Sequence, residues 1–212
     1  MEIVGYIALA IGAYLLGSIP TGYLVARAKG IDIRSVGSGN IGATNVFRIL
    51  GKPAGVFVLV FDGLKGFAAC AWFSDLIIQV FGVPGGAEVD ARLAAGIAAV
   101  LGHNYPCWLK FQGGKGVATS AGALAALVPW ALLIILSIWI ILSGLTRYVS
   151  VGSVAASFTL PFATWFTTQS WTLTIFTAAM GALAIFKHKG NIQRLLNGTE
   201  NRIGSPKKQS SA

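Results

Sequence analysis

Apolar runs of nearly bilayer length, separated by short polar stretches, set the pattern of this chain. They fall at residues 3–26, 53–73, 93–111, 117–145, 151–167 and 171–186. A hydrocarbon core about 30 Å thick takes about 20 apolar residues to cross as a helix, so these runs predict transmembrane helices. No basic segment precedes the first run, and Arg27 and Lys29 follow it, which marks a retained span rather than a cleaved leader. Residues 82–90 form a short acidic, glycine-rich loop. The run at 117–145 holds 29 residues without a charge, with Pro129 inside it. It is either one tilted helix of about 43 Å or two shorter helices hinged at the proline.

Charge bias decides between these, because cytoplasmic loops carry the excess of Lys and Arg. With a hinge at Pro129 the chain crosses seven times, and 14 of its 16 cations fall on one side: five in residues 27–52, two in 103–116, one in 146–150 and six from Lys187 onward. Arg92 stays opposite and Lys65 lies within a span. A single crossing would send Arg147 and the whole carboxyl-terminal segment to the other side. The expected fold is therefore all-α, an integral membrane bundle of seven transmembrane helices, some short, with the amino terminus outside and the carboxyl terminus cytoplasmic. The first half of the hinged pair, about 12 residues, is too short to span at 1.5 Å each and has to start deep in a thinned or water-accessible region. Residues 1–200 read as a single domain and 201–212 as a polar, disordered tail.

Composition agrees, since 55% of the 212 residues are hydrophobic and 11% charged, yet the net charge is +9. A water-soluble domain needs far more charge. Nucleic-acid binding is excluded as well, because the cations flank apolar spans instead of lining an exposed face with interleaved aromatics. The basic balance fits membrane topology and anionic ligands. The lone thiols Cys70 and Cys107, with two histidines far apart in sequence, provide neither a disulfide nor a metal-ligand set.

The predicted topology brings three polar clusters to one membrane face, where a shared site is plausible. The first runs from Val36 to Arg48 as VGSGNIGATNVFR. Gly37, Gly39 and Gly42 let the backbone approach a ligand, Ser38, Asn40, Thr44 and Asn45 offer polar groups, and Arg48 adds a planar fork suited to phosphate. The plain alternative is a flexible loop obeying the charge-bias rule. The glycines follow no strand, so this is no dinucleotide fingerprint. The second cluster, GHNYPCWLKFQGGKGVAT from Gly102 to Thr119, surrounds Lys115 with Gly113, Gly114 and Gly116 just before a helix. Free N–H groups at that helix start and the lysine can together hold a phosphate. Leu109 and Gly116 occupy the places where a Walker motif needs glycine and Ser or Thr, so the segment is not one. Its alternative is a turn with Tyr105 and Trp108 as interfacial anchors.

The third cluster is HKGNIQRLLNGTE from His188 to Glu200, where helical spacing directs His188 and Asn191 inward and Arg194 outward. Glu200, the only acidic residue after Asp90, is placed to orient His188, to pair with Arg48 or Lys115, or simply to be solvated. Within the second span Asp62 and Lys65 are three apart and share a face. Intramembrane charges are costly and usually functional, but a structural ion pair or substrate-access wall is favoured over catalysis.

GSGNIGATNVFR, GHNYPCWLKFQGGKGVAT and HKGNIQRLLNGTE resemble the three signature motifs of the bacterial acyl-phosphate:glycerol 3-phosphate acyltransferases, in order and spacing along nearly the whole chain. The resemblance implies transfer of a fatty acyl group from acyl phosphate to the first hydroxyl of glycerol 3-phosphate, giving lysophosphatidic acid and phosphate, at the cytoplasmic face of the bacterial inner membrane. It implies no cofactor and no metal. The expected partners are the two small-molecule substrates and membrane lipid, not nucleic acid, and the expected state is a monomer. Carried over by motif, Ser38, Arg48, Lys115, Ser150, His188 and Asn191 contact the two phosphate-bearing substrates, and Glu200 matches the family's carboxyl-terminal carboxylate. Trp108 and Gln112 depart from the family's usual phenylalanine and lysine. The missing cation at Gln112 weakens attraction of substrate, while Lys115 is intact.

The chemistry agrees independently, because acyl phosphate is an activated mixed anhydride whose carbonyl needs positioning and charge stabilisation more than a strong nucleophile activator. No Ser-His-Asp triad or histidine–acid dyad is assembled by the sequence. The resemblance implies that no dedicated side-chain base is used and that a substrate phosphate accepts the proton of the attacking hydroxyl. His188 as general base, oriented by Glu200, is the competing reading. A phosphate-ester transporter would place its anion site near the midplane and often shows an internal repeat, which is not seen here. A lipid-binding scaffold would need the cations without the neighbouring Ser, Thr and Asn.

Overall fold

The computed structural model describes residues 2–82 and 87–204, and every regular element among them is helical. The helices are α1 (Glu2–Gly17), α2 (Thr21–Arg27), α3 (Ala43–Leu50), α4 (Lys52–Ala68), α5 (Ser74–Phe81), α6 (Glu88–Asn104), α7 (Val117–Leu127), α8 (Pro129–Thr146), α9 (Val149–Thr168), α10 (Trp171–Lys187) and α11 (Lys189–Leu196). Four stretches are long and apolar enough to cross a membrane: Ile3–Arg27, Lys52–Phe81, Pro129–Thr146 and Val149–Thr168. Val117–Leu127 and Trp171–Lys187 are shorter apolar helices.

Local chemistry explains most of the boundaries. Pro20 has no N–H to donate, and the first span is broken between α1 and α2 at residues 18–20. The second span runs eight residues past Phe73 because a single π turn, Ala69–Phe73, joins α4 to α5 without ending the helix. Conversely α6 stops at Asn104, ahead of Pro106, where the sequence pattern continued to residue 111. A 3-10 turn, Cys107–Leu109, and left-handed Lys110 and Phe111 replace the expected helix end. The apolar run at 117–145 is broken, as expected, next to Pro129: Val128 lies outside the α region, which suits a residue before proline. At 1.5 Å per residue the 11 residues of α7 cover about 16 Å, roughly half a hydrocarbon core.

The chain divides into two compact units, residues 1–129 and 130–212. In the first, α1 packs on α6 and α4 on α7. Both crossings are close because glycine faces backbone: a Cβ on Gly17 would strike the Ala99 carbonyl, and one on Gly66 the Thr119 carbonyl. Leu9, Ala13, Ala69, Ile77, Ala95 and Ala99 fill one buried cluster of this unit. A second cluster joins Ile41 and Val46 of the first motif, with Ile33 just before it, to Ala26 and Val58 of the neighbouring helices and to Leu109 of the second motif.

In the second unit α9 packs on α10, with Gly181 set against the Ser157 carbonyl. That carbonyl is the one to which Pro161 cannot donate, since proline lacks the N–H four residues on. Hydroxyls of Ser153, Ser157 and Thr164 donate to the carbonyls four residues before them, which keeps these polar groups satisfied inside an apolar helix. Beyond α11 the chain lies against the α8–α9 corner. Arg147 Nε and Nη2 donate to the Ile203 carbonyl at 3.2 and 2.8 Å, and the Ile203 N–H returns a bond to the Arg147 carbonyl at 2.7 Å. Arg202 Nε donates to the Tyr148 hydroxyl at 2.9 Å. Residues 201–203 are therefore held, not trailing; the rest of the expected tail, 205–212, lies outside the described residues.

Candidate active site

The first motif is a loop built around one buried side chain. Asn45, on the inner face of α3, accepts the Ser38 N–H at 2.9 Å and donates to the carbonyls of Ile33 and Val36 at 3.2 and 3.1 Å. Its amide is thus held by the loop itself, so the part of Asn45 in the expected binding set is to fix the backbone around Ser38. Gly37 has φ +62, and a Cβ there would meet the Asn45 side-chain oxygen, so glycine is needed on both counts. Asn40 Oδ1 accepts the Gly42 N–H at 2.8 Å, closing the turn into α3. Thr44 and Arg48 follow one turn apart on that helix, Thr44 exposed and Arg48 half-buried. A second cation of the loop, Arg34, forks onto Asp32 at 2.9 and 2.7 Å. Those bonds hold the exposed Asp32 carboxyl down at about 2.

The second motif folds back on the end of α6. The Gly113 N–H donates to the Asn104 carbonyl at 3.2 Å and the Gly114 N–H to the His103 carbonyl at 3.1 Å. These two amides are hence taken by the protein. The donors that remain come from the start of α7, whose N-cap is Gly116 in the left-handed region with no side-chain cap, so the first-turn N–H groups lack intrahelical acceptors. Lys115, half-buried, precedes this end directly. An ammonium beside uncapped N–H groups at a helix start is an arrangement suited to a phosphate.

Under this loop lies a set of charges whose convergence the sequence did not indicate. Asp62 is 2% exposed, Lys65 6% and His103 5%. Lys65 Nζ lies 2.8 Å from Asp62 Oδ1, the expected ion pair, and also donates to the Ile19 carbonyl at 2.8 Å. The same Oδ1 accepts the Thr21 hydroxyl at 3.1 Å and has His103 Nδ1 at 3.7 Å. His103 and Asn104 belong to the second motif, yet neither carries a sign in the sequence that it supports the glycines ten residues later.

In the second unit the third motif is organised by Glu200, 9% exposed. Ser150 Oγ donates to Glu200 Oε1 at 3.0 Å, Asn191 Nδ2 donates to the same oxygen at 2.6 Å, and Arg194 Nε donates to Oε2 at 2.7 Å. A solvated Glu200 is thereby ruled out, and Arg194, expected to face outward, reaches back to it. Burial raises the pKa of this carboxyl, but the bonds from Asn191, Arg194 and Ser150, with the Arg194 charge, outweigh burial and leave it below the ordinary 4.5. His188, at the junction of α10 and α11, is 2% exposed. Its Nδ1 is 2.7 Å from the Ala184 carbonyl, which can only accept, so Nδ1 carries the proton and the lone pair of the neutral ring is on Nε2.

The structure thus gathers Gly37, Ser38, Asn40, Thr44, Asn45 and Arg48 on one loop and helix of the first unit. That loop shares a buried cluster with the motif carrying Gly113, Gly114, Lys115 and Gly116. It gathers Ser150, Asn191 and Glu200 by direct hydrogen bonds in the second unit. Among the described residues no group of three or more His, Cys, Asp or Glu is placed to hold a metal ion, and both cysteines are free.

The family model described as glycerol-3-phosphate acyltransferase matches residues 7–198. The glycerol-3-phosphate acyltransferase of Desulforamulus reducens is 44% identical over 203 residues, covering 95% of this chain and 96% of the relative. That of Thermosynechococcus vestitus is 45% identical over 199 residues, covering 93% and 94%. Among solved structures, the glycerol 3-phosphate form of PlsY, an integral membrane glycerol 3-phosphate acyltransferase, superposes with a TM-score of 0.83 at 40% identity, covering 94% of this chain and 96% of that one. Its lysophosphatidic acid form gives 0.81 at 39% identity, covering 94% and 95%. With a family match over nearly the whole chain, the protein belongs to the glycerol-3-phosphate acyltransferase family of integral membrane proteins.

Proposed function

We propose that this protein transfers a fatty acyl group from acyl phosphate to the first hydroxyl of glycerol 3-phosphate, releasing 1-acylglycerol 3-phosphate and inorganic phosphate. The observation that carries this reading is the Gly113–Gly114–Lys115–Gly116 loop, a cation set at the uncapped start of α7. Two phosphate-bearing reactants fit a chain that also presents Ser38 and Arg48 on its first motif, and Ser150, His188 and Asn191 on its second unit. The hydroxyl oxygen attacks the acyl carbonyl, the bond from that carbon to the phosphate oxygen breaks, and phosphate leaves. An acyl phosphate is already activated, so the protein's work is to hold both phosphates and to stabilise negative charge developing on the carbonyl oxygen. The donor carries the energy of the step, which asks for no organic cofactor or metal.

Purified protein supplied with labelled acyl phosphate and glycerol 3-phosphate is expected to form labelled lysophosphatidic acid, and acyl-CoA or acyl carrier protein is expected not to replace the donor. Absence of acyl transfer, with binding or transport of the phosphate ester instead, sinks the reading. The proton of the attacking hydroxyl goes either to a substrate phosphate or to His188 Nε2. The Nδ1 bond to the Ala184 carbonyl puts the neutral ring's lone pair on Nε2, the atom that takes the proton in the second course. Replacing His188 by Gln and recording kcat against pH separates them: a histidine base predicts that an ionisation near neutrality disappears, whereas a phosphate acceptor predicts that the profile keeps its shape.

The proposed setting is the bacterial inner membrane, with seven crossings, the amino terminus outside, and the phosphate-holding motifs at the cytoplasmic face of a monomer. The cation distribution supports this, as does the shortness of α7, which lets Lys115 lie at the mouth of a half-length helix. Cysteines placed at Lys110 and Lys189 are expected to react with an impermeant thiol reagent from the same side of sealed vesicles. Labelling from opposite sides would overturn the topology.

A further inference from the structure

We propose that Asp62 is a positioning residue for the Lys115 loop and acts through His103, an inference that rests on the reading of that loop as a phosphate holder. An intramembrane ion pair would be satisfied by Asp62 and Lys65 alone, since Lys65 also has the Ile19 carbonyl. Yet three groups from three helices, Thr21 of α2, Lys65 of α4 and His103 of α6, converge on the single oxygen Oδ1. Of these His103 touches the loop, and it does so on two sides. Its carbonyl accepts the Gly114 N–H at 3.1 Å, and its ring fills the space beside Gly114 so closely that a Cβ there would land on Nε2. Asn104, the next residue, takes the Gly113 N–H at 3.2 Å and has its Oδ1 2.7 Å from where a Gly116 Cβ would sit. Residues 103 and 104 are therefore the floor under all three glycines.

With Nε2 beside Gly114, the other ring nitrogen, Nδ1, faces the Asp62 carboxylate at 3.7 Å, so on this proposal the carboxylate holds the ring's orientation by charge across a gap longer than a hydrogen bond. Lys65 and Thr21 complete the arrangement by keeping the buried Asp62 charge compensated. The chain of contact runs from Asp62 to His103, from His103 to Gly114, and from Gly114 to Lys115. Removing the carboxylate frees the ring, so Gly114 and the ammonium beside it lose their setting, and it also leaves the buried Lys65 without its counter-charge.

Steady-state kinetics of the full-length enzyme in detergent test this, with glycerol 3-phosphate and acyl phosphate varied in turn for Asp62→Asn, Lys115→Ala and the double variant. Lys115→Ala identifies which substrate phosphate the loop holds by the KM that rises. Asp62→Asn is expected to raise that same KM on the order of tenfold with kcat changed less than about threefold, and to add little in the Lys115→Ala background. A loss of kcat or of thermal stability without that KM shift, or an effect that multiplies fully with Lys115→Ala, overturns the proposal and leaves Asp62 a plain structural ion. If Lys115→Ala moves neither KM, the phosphate-holding reading fails first and this inference with it. Should Asp62→Asn not fold, His103 carries the same test: His103→Leu is expected to raise the KM, and His103→Gln, which keeps an amide donor toward Asp62, to restore most of it. Equal KM values for the two His103 variants would overturn the proposal.

Discussion

Replacing Lys115 by alanine is expected to lower kcat/KM about 100-fold while leaving the detergent-solubilised protein as stable as before. The loss corresponds to one charge-assisted hydrogen bond to phosphate, worth about 1.5–3 kcal/mol. The lysine stands beside the first turn of α7, whose N–H groups keep the site attractive to an anion after the charge is gone, so some activity survives. Stability is expected to hold because the loop is fixed by the bonds of Gly113 and Gly114 to Asn104 and His103, which the substitution leaves untouched. Initial rates with each substrate varied, beside a thermal denaturation curve, check both halves. A Lys115→Ala enzyme whose kcat/KM stayed close to that of the wild type would remove this lysine from the phosphate site.

The largest stability effect is expected from Glu200→Leu. Its carboxylate receives Ser150, Asn191 and Arg194, so the substitution strands two buried donors and one guanidinium. Arg194 is more than a third exposed, and solvent takes over much of its share. The hydroxyl of Ser150 and the amide of Asn191 are buried, and losing their acceptor costs about 2–3 kcal/mol in all. Activity falls with it, since Ser150 and Asn191 are both proposed to meet substrate. The pH dependence follows from the lowered pKa of Glu200. A carboxyl whose folded value lies below its ordinary 4.5 adds stability that is complete above that pH and is lost as pH falls through the folded value. Melting temperature is therefore expected to drop more steeply on acidification in the wild type than in Glu200→Gln, and parallel profiles would refute the cluster's role.

Much of this arrangement was readable from the chain because it depends on local chemistry. The apolar runs gave the helical, membrane-embedded class, and Pro129 gave the division between α7 and α8, since a residue before proline leaves the α region wherever the chain goes next. Asp62 and Lys65 were readable as a pair because helical spacing alone puts them together. The motif residues were readable in kind, because glycines, hydroxyls and a lysine before a helix suit phosphate in any fold. The extension of the second span through a π turn to Phe81 was not readable, since nothing in its residues distinguishes a wide turn from an ordinary helix end.

Partners distant in sequence were settled only by tertiary structure. Glu200 had several equally reasonable partners by charge, and the fold chose Ser150, fifty positions earlier, together with Asn191 and Arg194. The spacing of the third motif turned Arg194 outward, but the segment after α11 is drawn back along the α8–α9 corner by Arg147, and this brings the carboxylate to it. His103 stood in the second motif with no role read for it, and only the packing of α6 beside α4 placed it between Asp62 and Gly114. What the sequence determined by itself was the solvent this protein lives in and the course of most of its long helices. Those follow from composition and short-range spacing, whereas hydrogen bonds between distant residues exist only once the helices have packed.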